Sequence, residues 1–311
     1  MELAVESLNA AIGDADALYS TGRLQLHGGL SGLGWTIEHL AHALHAFGDA
    51  QAEEASSLND DTDAALLQEL ERGRWGGTAD VATGLAGFGI YFLARHRAPA
   101  ARRGLALVLG HLDEMSWRPR PAGGSAPAPC VSLGEAGTAH FLSAALSTGV
   151  DMQTAARLLD QVLETLLAGP ADRSRARGGP DGDLGVAAVC LQLGRQNNHP
   201  DCARLGQDLL EQCLLRSPES HPDCNLSLIS GAAGICHAFN RIWNQEGDER
   251  CRNAALEWLD AVLEGWDGNE IGRPESNEFL GGAAGIGLSL QAVLTPTAPA
   301  WDRLLCLSSG D

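Results

Sequence analysis

Six copies of a Gly-x-x-Gly motif recur along this chain at intervals of about fifty residues. The paired glycines are Gly29/Gly32, Gly84/Gly87, Gly134/Gly137, Gly182/Gly185, Gly231/Gly234 and Gly282/Gly285. A fixed period of that length marks one supersecondary unit used repeatedly. It is long enough for two helices and their loops. Most copies lead into an apolar run, such as Ile90–Leu93 after the second and Ile286–Leu290 after the sixth. The spacing therefore predicts an all-α chain, a ring or solenoid of helical hairpins.

Two sets of helices are expected. One begins near Gly32, Gly87, Gly137, Gly185, Gly234 and Gly285; the other lies around 60–72, 99–114, 152–167, 200–214 and 249–264. With an N-terminal helix over Glu2–Tyr19 this gives about twelve helices, or six hairpins. Breakers gather in the connectors Arg118–Gly124, Arg177–Pro180, Ser217–Glu219 and Pro296–Pro299, where turns belong. No connector separates two cores, so 1–311 reads as one domain. A hydrophobic content of 44% supplies its core, and the low aromatic content of 5% suits closely packed helices. Glycine pairs at helix starts permit close approach of neighbouring elements. If the glycine-led helices share one end, that end gathers free amide donors and positive dipole ends.

The formal net charge is −19, which repels phosphates and argues against nucleic-acid or anionic-membrane partners. A basic or neutral peptide is the easier partner. No signal peptide and no membrane-spanning run is expected, and the eight cysteines are scattered without CxxC. A reducing cytoplasm is the expected setting.

Specific runs now point to a family. Asp80–Leu93 and Phe279–Leu288, with the tail Trp301–Leu305, resemble repeats and the ending of lanthionine synthetase C-like proteins. The resemblance spans about residues 24 to 307. It implies an α/α toroid, here of about six hairpins where the family usually has seven. It also implies a role in maturing ribosomally made, lanthipeptide-type peptides. In that chemistry a cysteine thiol adds to dehydroalanine or dehydrobutyrine and closes a thioether ring. The thiol must ionise and the enolate must be protonated. A family zinc does the first by binding the sulfur, and a nearby acid does the second.

The chain departs from that pattern at its chemical centre. The family's zinc cysteine, two residues before a glycine, is replaced by Pro180; its Cys-His pair is replaced by Ile229 and Ser230. The family's histidine in the middle repeat is Leu133 here. No zinc is therefore expected, and no other cofactor. Asp80 matches the family's active-site aspartate, with a plain alternative as a turn residue holding backbone amides. Asp181 and Arg177, or Arg175, complete the candidate catalytic set. A substitute metal site from Cys130, His221 and Cys224, helped by Asp223, is the weaker option. Cys236-His237 and the His39/His42/His45 stripe read as packing and helix surface.

Three functions compete. The resemblance favours, slightly, a zinc-independent peptide cyclase that works by binding and orientation. The alternative is a non-catalytic scaffold for a dehydroamino-acid peptide or for a partner such as a dehydratase. A sugar hydrolase using two of Asp80, Glu135, Asp183 and Glu278 ranks last. Substrate peptide, ring pattern, partner enzymes and oligomeric state leave no trace in the sequence.

Overall fold

The structure, a computed structural model, describes Gly13 and residues 15–46, 57–115, 130–168, 179–221, 224–266 and 278–308. Among these residues there are twelve α-helices and no strand. They are α1 (Ala15–Ser20), α2 (Leu30–Ala46), α3 (Asp60–Glu71), α4 (Leu85–Ala94), α5 (Pro99–Glu114) and α6 (Glu135–Leu146). Then follow α7 (Met152–Leu167), α8 (Asp183–Gln196), α9 (Pro200–Leu214), α10 (Ala232–Glu246), α11 (Glu249–Gly265) and α12 (Ala283–Leu294). Most of the expected N-terminal helix lies outside the described residues.

Sequence pattern explains the two helix classes. In α7 the buried side chains Ala155, Leu158, Leu159, Val162, Leu163 and Leu166 recur at helical spacing, which makes one apolar stripe. In α4, every residue from Leu85 to Phe92 is buried, and in α8 every residue from Asp183 to Cys190. A helix apolar on all sides must be enclosed by others. α12 is intermediate, burying Gly285, Ile286, Ser289 and Ala292.

The glycine motifs start their helices one turn sooner than their second glycine suggests. The first glycine is the N-cap of α4, α8, α10 and α12, with φ between −106° and −117°. Glycine has no side chain to cap with, so the loop supplies carbonyls from seven residues back. Leu85, Ala86 and Gly87 donate to Thr78, Ala79 and Asp80; Leu30 and Ser31 donate to Arg23 and Leu24; Ala232 and Gly234 donate to Asn225 and Ser227. At the starts of α2, α4 and α10 the expected free amide donors are thus engaged by the loop itself. The second glycine leaves room for this wrap. A methyl group at Gly87 would strike the Val81 carbonyl, and one at Gly285 the Phe279 carbonyl.

The described residues group into two compact units. The first holds α1–α5 and residues 137–162 of α6 and α7. It buries a charged cluster: Arg95 lies 2.7 Å from Glu38, 3.0 Å from Asp63 and 3.2 Å from the exposed Asp60. Tyr91 donates to Asp63 at 2.7 Å, and Asn59 donates to the Gly34 carbonyl at 2.9 Å. Burial, then the Asp63 charge, hold the Tyr91 phenol above its ordinary range.

The second unit holds residues 130–136, the end of α7 from Leu163, and α8–α12 with the tail. Its tail is locked by the fully buried Asp302. That carboxylate meets His237 at 3.2 Å and Arg241 at 2.8 Å, and accepts from Ser308. Trp301 stacks on the His237 ring at 4.6 Å.

Candidate functional site: the loops before the glycine motifs

The loops ahead of the glycine-led helices are stitched to one another through the residue two places before the first glycine. In the first unit His27 N–H donates to the Ala82 carbonyl at 3.0 Å. In the second, Ile229 N–H donates to the Leu280 carbonyl at 3.0 Å. The loop of Gly182 has Pro180 at that place, and proline has no N–H to give. Asp181, one residue on, donates instead, to the Ile229 carbonyl at 3.2 Å. The Asp181 side chain closes the row, accepting the Ser132 N–H on Oδ1 at 2.8 Å. Residues 132, 181, 229 and 280 therefore lie side by side.

This row sets Pro180 beside Ile229 and Ser230, three of the positions that the family resemblance marks. Loops 179–182 and 228–231 pack backbone to backbone: a Cβ at Gly179 would lie 3.1 Å from Ser230 Cα and 3.3 Å from the Ile229 carbonyl. Pro180 is buried there, and Ile229 and Ser230 are half-buried. The loops adjoin, but the side chains on them do not suit zinc. A zinc site needs thiolate, imidazole or carboxylate ligands. Pro180 and Ile229 offer none, Ser230 offers a hydroxyl, and the adjacent Asp181 carboxylate is engaged with Ser132. Among the described residues no three of His, Cys, Asp or Glu converge as a metal would require.

The substitute set fares no better. Cys130, His221 and Cys224 form no such group. His221 turns its Nδ1 to Ser220 and the Ser217 carbonyl, at 2.9 and 3.2 Å, and its ring lies near Trp258. Burial raises the Cys224 thiol above its ordinary pKa. His39 stacks on Trp35 at 5.0 Å, while His42 meets Glu38 at 3.4 Å. Arg175, Arg177 and Asp223 lie outside the described residues.

A second recurring position stands four residues before the first glycine. There Asp80, only 7% exposed, accepts the Thr83 N–H at 2.8 Å and the Thr83 hydroxyl at 3.2 Å. Ser227 does the same for the Ser230 N–H at 3.4 Å. Asp80 thus fills a turn-holding place that a serine fills elsewhere. Cys130 occupies this place ahead of Gly134. The Leu133 N–H and the Ser132 hydroxyl favour its thiolate, but burial and then the Asp181 charge outweigh them and raise its pKa. Leu133 itself is 53% exposed, an apolar side chain where the family carries histidine.

Asp183, which sequence reasoning offered as a hydrolytic acid, is fully buried and paired with Arg216 at 3.0 Å. Glu278 is exposed. Sequence reasoning missed the Arg95 cluster and the Asp302 lock. The second had one visible sign, the Trp301-Asp302 pair in the tail. Cys236 and His237 are buried within α10, as packing requires. Burial pushes the Cys236 thiol up to about 12.

Residues 180–301 match the family described as lanthionine synthetase C-like protein. No curated protein matches the sequence. Among solved structures, nisin cyclase is similar in fold, with a TM-score of 0.67 and 16% identity, over 91% of this chain and 80% of that chain. At that identity the likeness speaks for the fold, which is of the α/α toroid class. No helix among the described residues is long and apolar enough to cross a membrane. Residues 180–301 thus match the lanthionine synthetase C-like family in sequence, and the chain as a whole shares its fold with nisin cyclase.

Proposed function

We propose that this protein takes part in maturing a lanthipeptide-type precursor by binding a peptide that carries dehydroalanine or dehydrobutyrine, and that it does so without zinc. One observation carries this reading. The loops 179–182 and 228–231 are packed against each other, and Pro180, Ile229 and Ser230 stand on them where the family resemblance implies zinc ligands. Binding asks less of these residues than thiol activation does. A free thiol with pKa near 8.5 is only a few per cent ionised at neutral pH. Nothing in Pro180, Ile229 or Ser230 changes that.

The test uses a synthetic peptide with one cysteine and one dehydroalanine, fluorescently labelled. Saturable binding with the peptide thiol still titratable supports the reading. Loss of the thiol without change of mass, faster than in buffer, overturns it in favour of cyclisation.

That second reading has one observation behind it: a buried carboxylate, Asp80, at the place of the family's aspartate. In that reading the thiol sulfur bonds to the alkene Cβ and a proton ends on Cα. Proton delivery would fall to Asp80 or Asp181, with Arg177 steadying charge. Replacement of Asp80 by Asn would then slow thiol loss by about a hundredfold or more, the usual scale for general acid–base catalysis, with peptide affinity unchanged.

A further inference from the structure

The seat of α12 on α10 shows how one glycine-led helix accepts the next. The Ser289 hydroxyl donates to the Ala233 carbonyl at 2.7 Å, and the Asn240 amide donates to the Ala292 carbonyl at 3.2 Å. Ala233 stands one residue before the second glycine of its motif, and Ser289 four residues after the second glycine of its own. The six copies can be compared at these two places. At the first, Ser31, Ala86, Ala136 and Leu184 are buried like Ala233, but Ala284 of α12 is exposed. At the second, Tyr91, Phe141, Val189 and Ala238 are buried like Ser289, but Thr36 of α2 is exposed. The last copy and the first thus each show solvent a face that every other copy covers.

The two open faces match each other as α10 matches α12. Among the six copies, only Thr36 and Ser289 put an aliphatic hydroxyl at the fourth residue after the second glycine. Only Asn240 and Gln291 put a carboxamide at the sixth. In the register of the α10–α12 joint, α2 of another copy would bring the Thr36 hydroxyl to the Ala284 carbonyl. It would bring its His39 carbonyl, the counterpart of Ala292, to the exposed Gln291 amide. Thr36 donates to the Gly32 carbonyl of its own helix at 3.0 Å and would turn from it. Gly287 and Leu294 extend the open face of α12, with Leu294 77% exposed, and Leu40 extends that of α2. None of these side chains is charged, in a chain that carries −19. Such faces join by apolar burial and a few hydrogen bonds, as the interior joint does.

We propose that α2 of one copy seats on α12 of a second copy, so that the chain associates head to tail through the joint it already uses within itself. The contact pairs two different faces, which makes it heterologous and able to propagate. The proposal does not rest on the peptide-binding reading.

The experiment follows the mass of the full chain by analytical ultracentrifugation over about 1–100 μM, where mass action sets the associated fraction. Species larger than one chain are expected at the upper end. Raising salt should favour them, since two chains of like charge repel less when screened. Ala284→Glu and Thr36→Glu each put an unpaired carboxylate into the joint and should weaken association about a hundredfold or more. Mixed one to one, the two variants keep one intact α2 face and one intact α12 face between them. They should form dimers and nothing larger, which also shows both to be folded. Gln291→Arg and Leu40→Arg give a second pair of the same design. Asn253→Glu, on the exposed face of α11, should associate as the parent chain does. A parent chain that stays monomeric throughout overturns the proposal, as does undiminished association of either glutamate variant. So does a mixture no larger than its components, or a loss by Asn253→Glu equal to theirs, which would mean general charge repulsion.

Discussion

Cys130 and Cys224 are half-buried, and the other six cysteines are buried. Burial holds Cys130 and Cys224 above the ordinary thiol pKa, so each stays protonated at neutral pH. An aqueous thiol reagent should therefore modify these two in the native protein, slowly at pH 7 and faster as pH rises. The remaining six should react only after unfolding. Mass spectrometry of the native and unfolded chains checks the split; early labelling of Cys236 or Cys306 would contradict it. The glycines give a second prediction. Gly87→Ala puts a methyl group into the Val81 carbonyl, which the wrapped loop cannot yield without losing its bonds to α4. Overpacking of this sort costs about 1–3 kcal/mol, to be read from denaturant melts. The need for glycine was legible in the repeat. Its cause was not, because the clash is with a carbonyl six residues back, and only the folded loop brings that atom under the helix.

Element boundaries followed closely from sequence where amphipathic spacing and breakers coincide. The ranges 99–114, 152–167 and 200–214 reappear as α5, α7 and α9. Glycine-led helices begin earlier than expected because the first glycine caps and the second lies inside the helix. The charge cluster that ties α2, α3 and α4 together had no local signal: Glu38, Asp63 and Arg95 are far apart in the chain and each looks like a surface residue. Arg95→Met should remove the cation and strand two buried carboxylates. Breaking a buried pair in this way costs about 3–5 kcal/mol, measurable as a lowered melting temperature. A different tie joins α9 to α11. Arg250 bonds Asp248 at 2.7 Å and Glu211 at 2.9 Å, and holds both carboxyls below their usual range. A depressed carboxyl pKa stabilises above the unfolded value, and the effect is lost as pH falls through the folded value. The melting-temperature gap between the parent chain and Arg250→Ala should thus be largest near neutrality and close in acid. A gap that widens in acid would refute the assignment.

Across the whole molecule, the repeat told the fold class and pointed to the family that residues 180–301 match. Pro180, Ile229, Ser230 and Leu133 could be read against the resemblance, but the loop row that sets them together could not. Its bonds run from backbone N–H to backbone C=O, or to the Asp181 carboxylate, and leave no trace in residue type. That row has a consequence for what the chain tolerates. At residues 229 and 230 the row is carried by main-chain atoms, while Pro180 shifts the donor to Asp181 and sets its ring against Gly234. Reinstalling the family's ligands by Pro180→Cys, Ile229→Cys and Ser230→His should leave the helices intact and yield one bound zinc per chain, measured by metal analysis and circular dichroism. If that holds, the vessel and its contents are set on separate terms, and the contents can be exchanged without recasting the vessel.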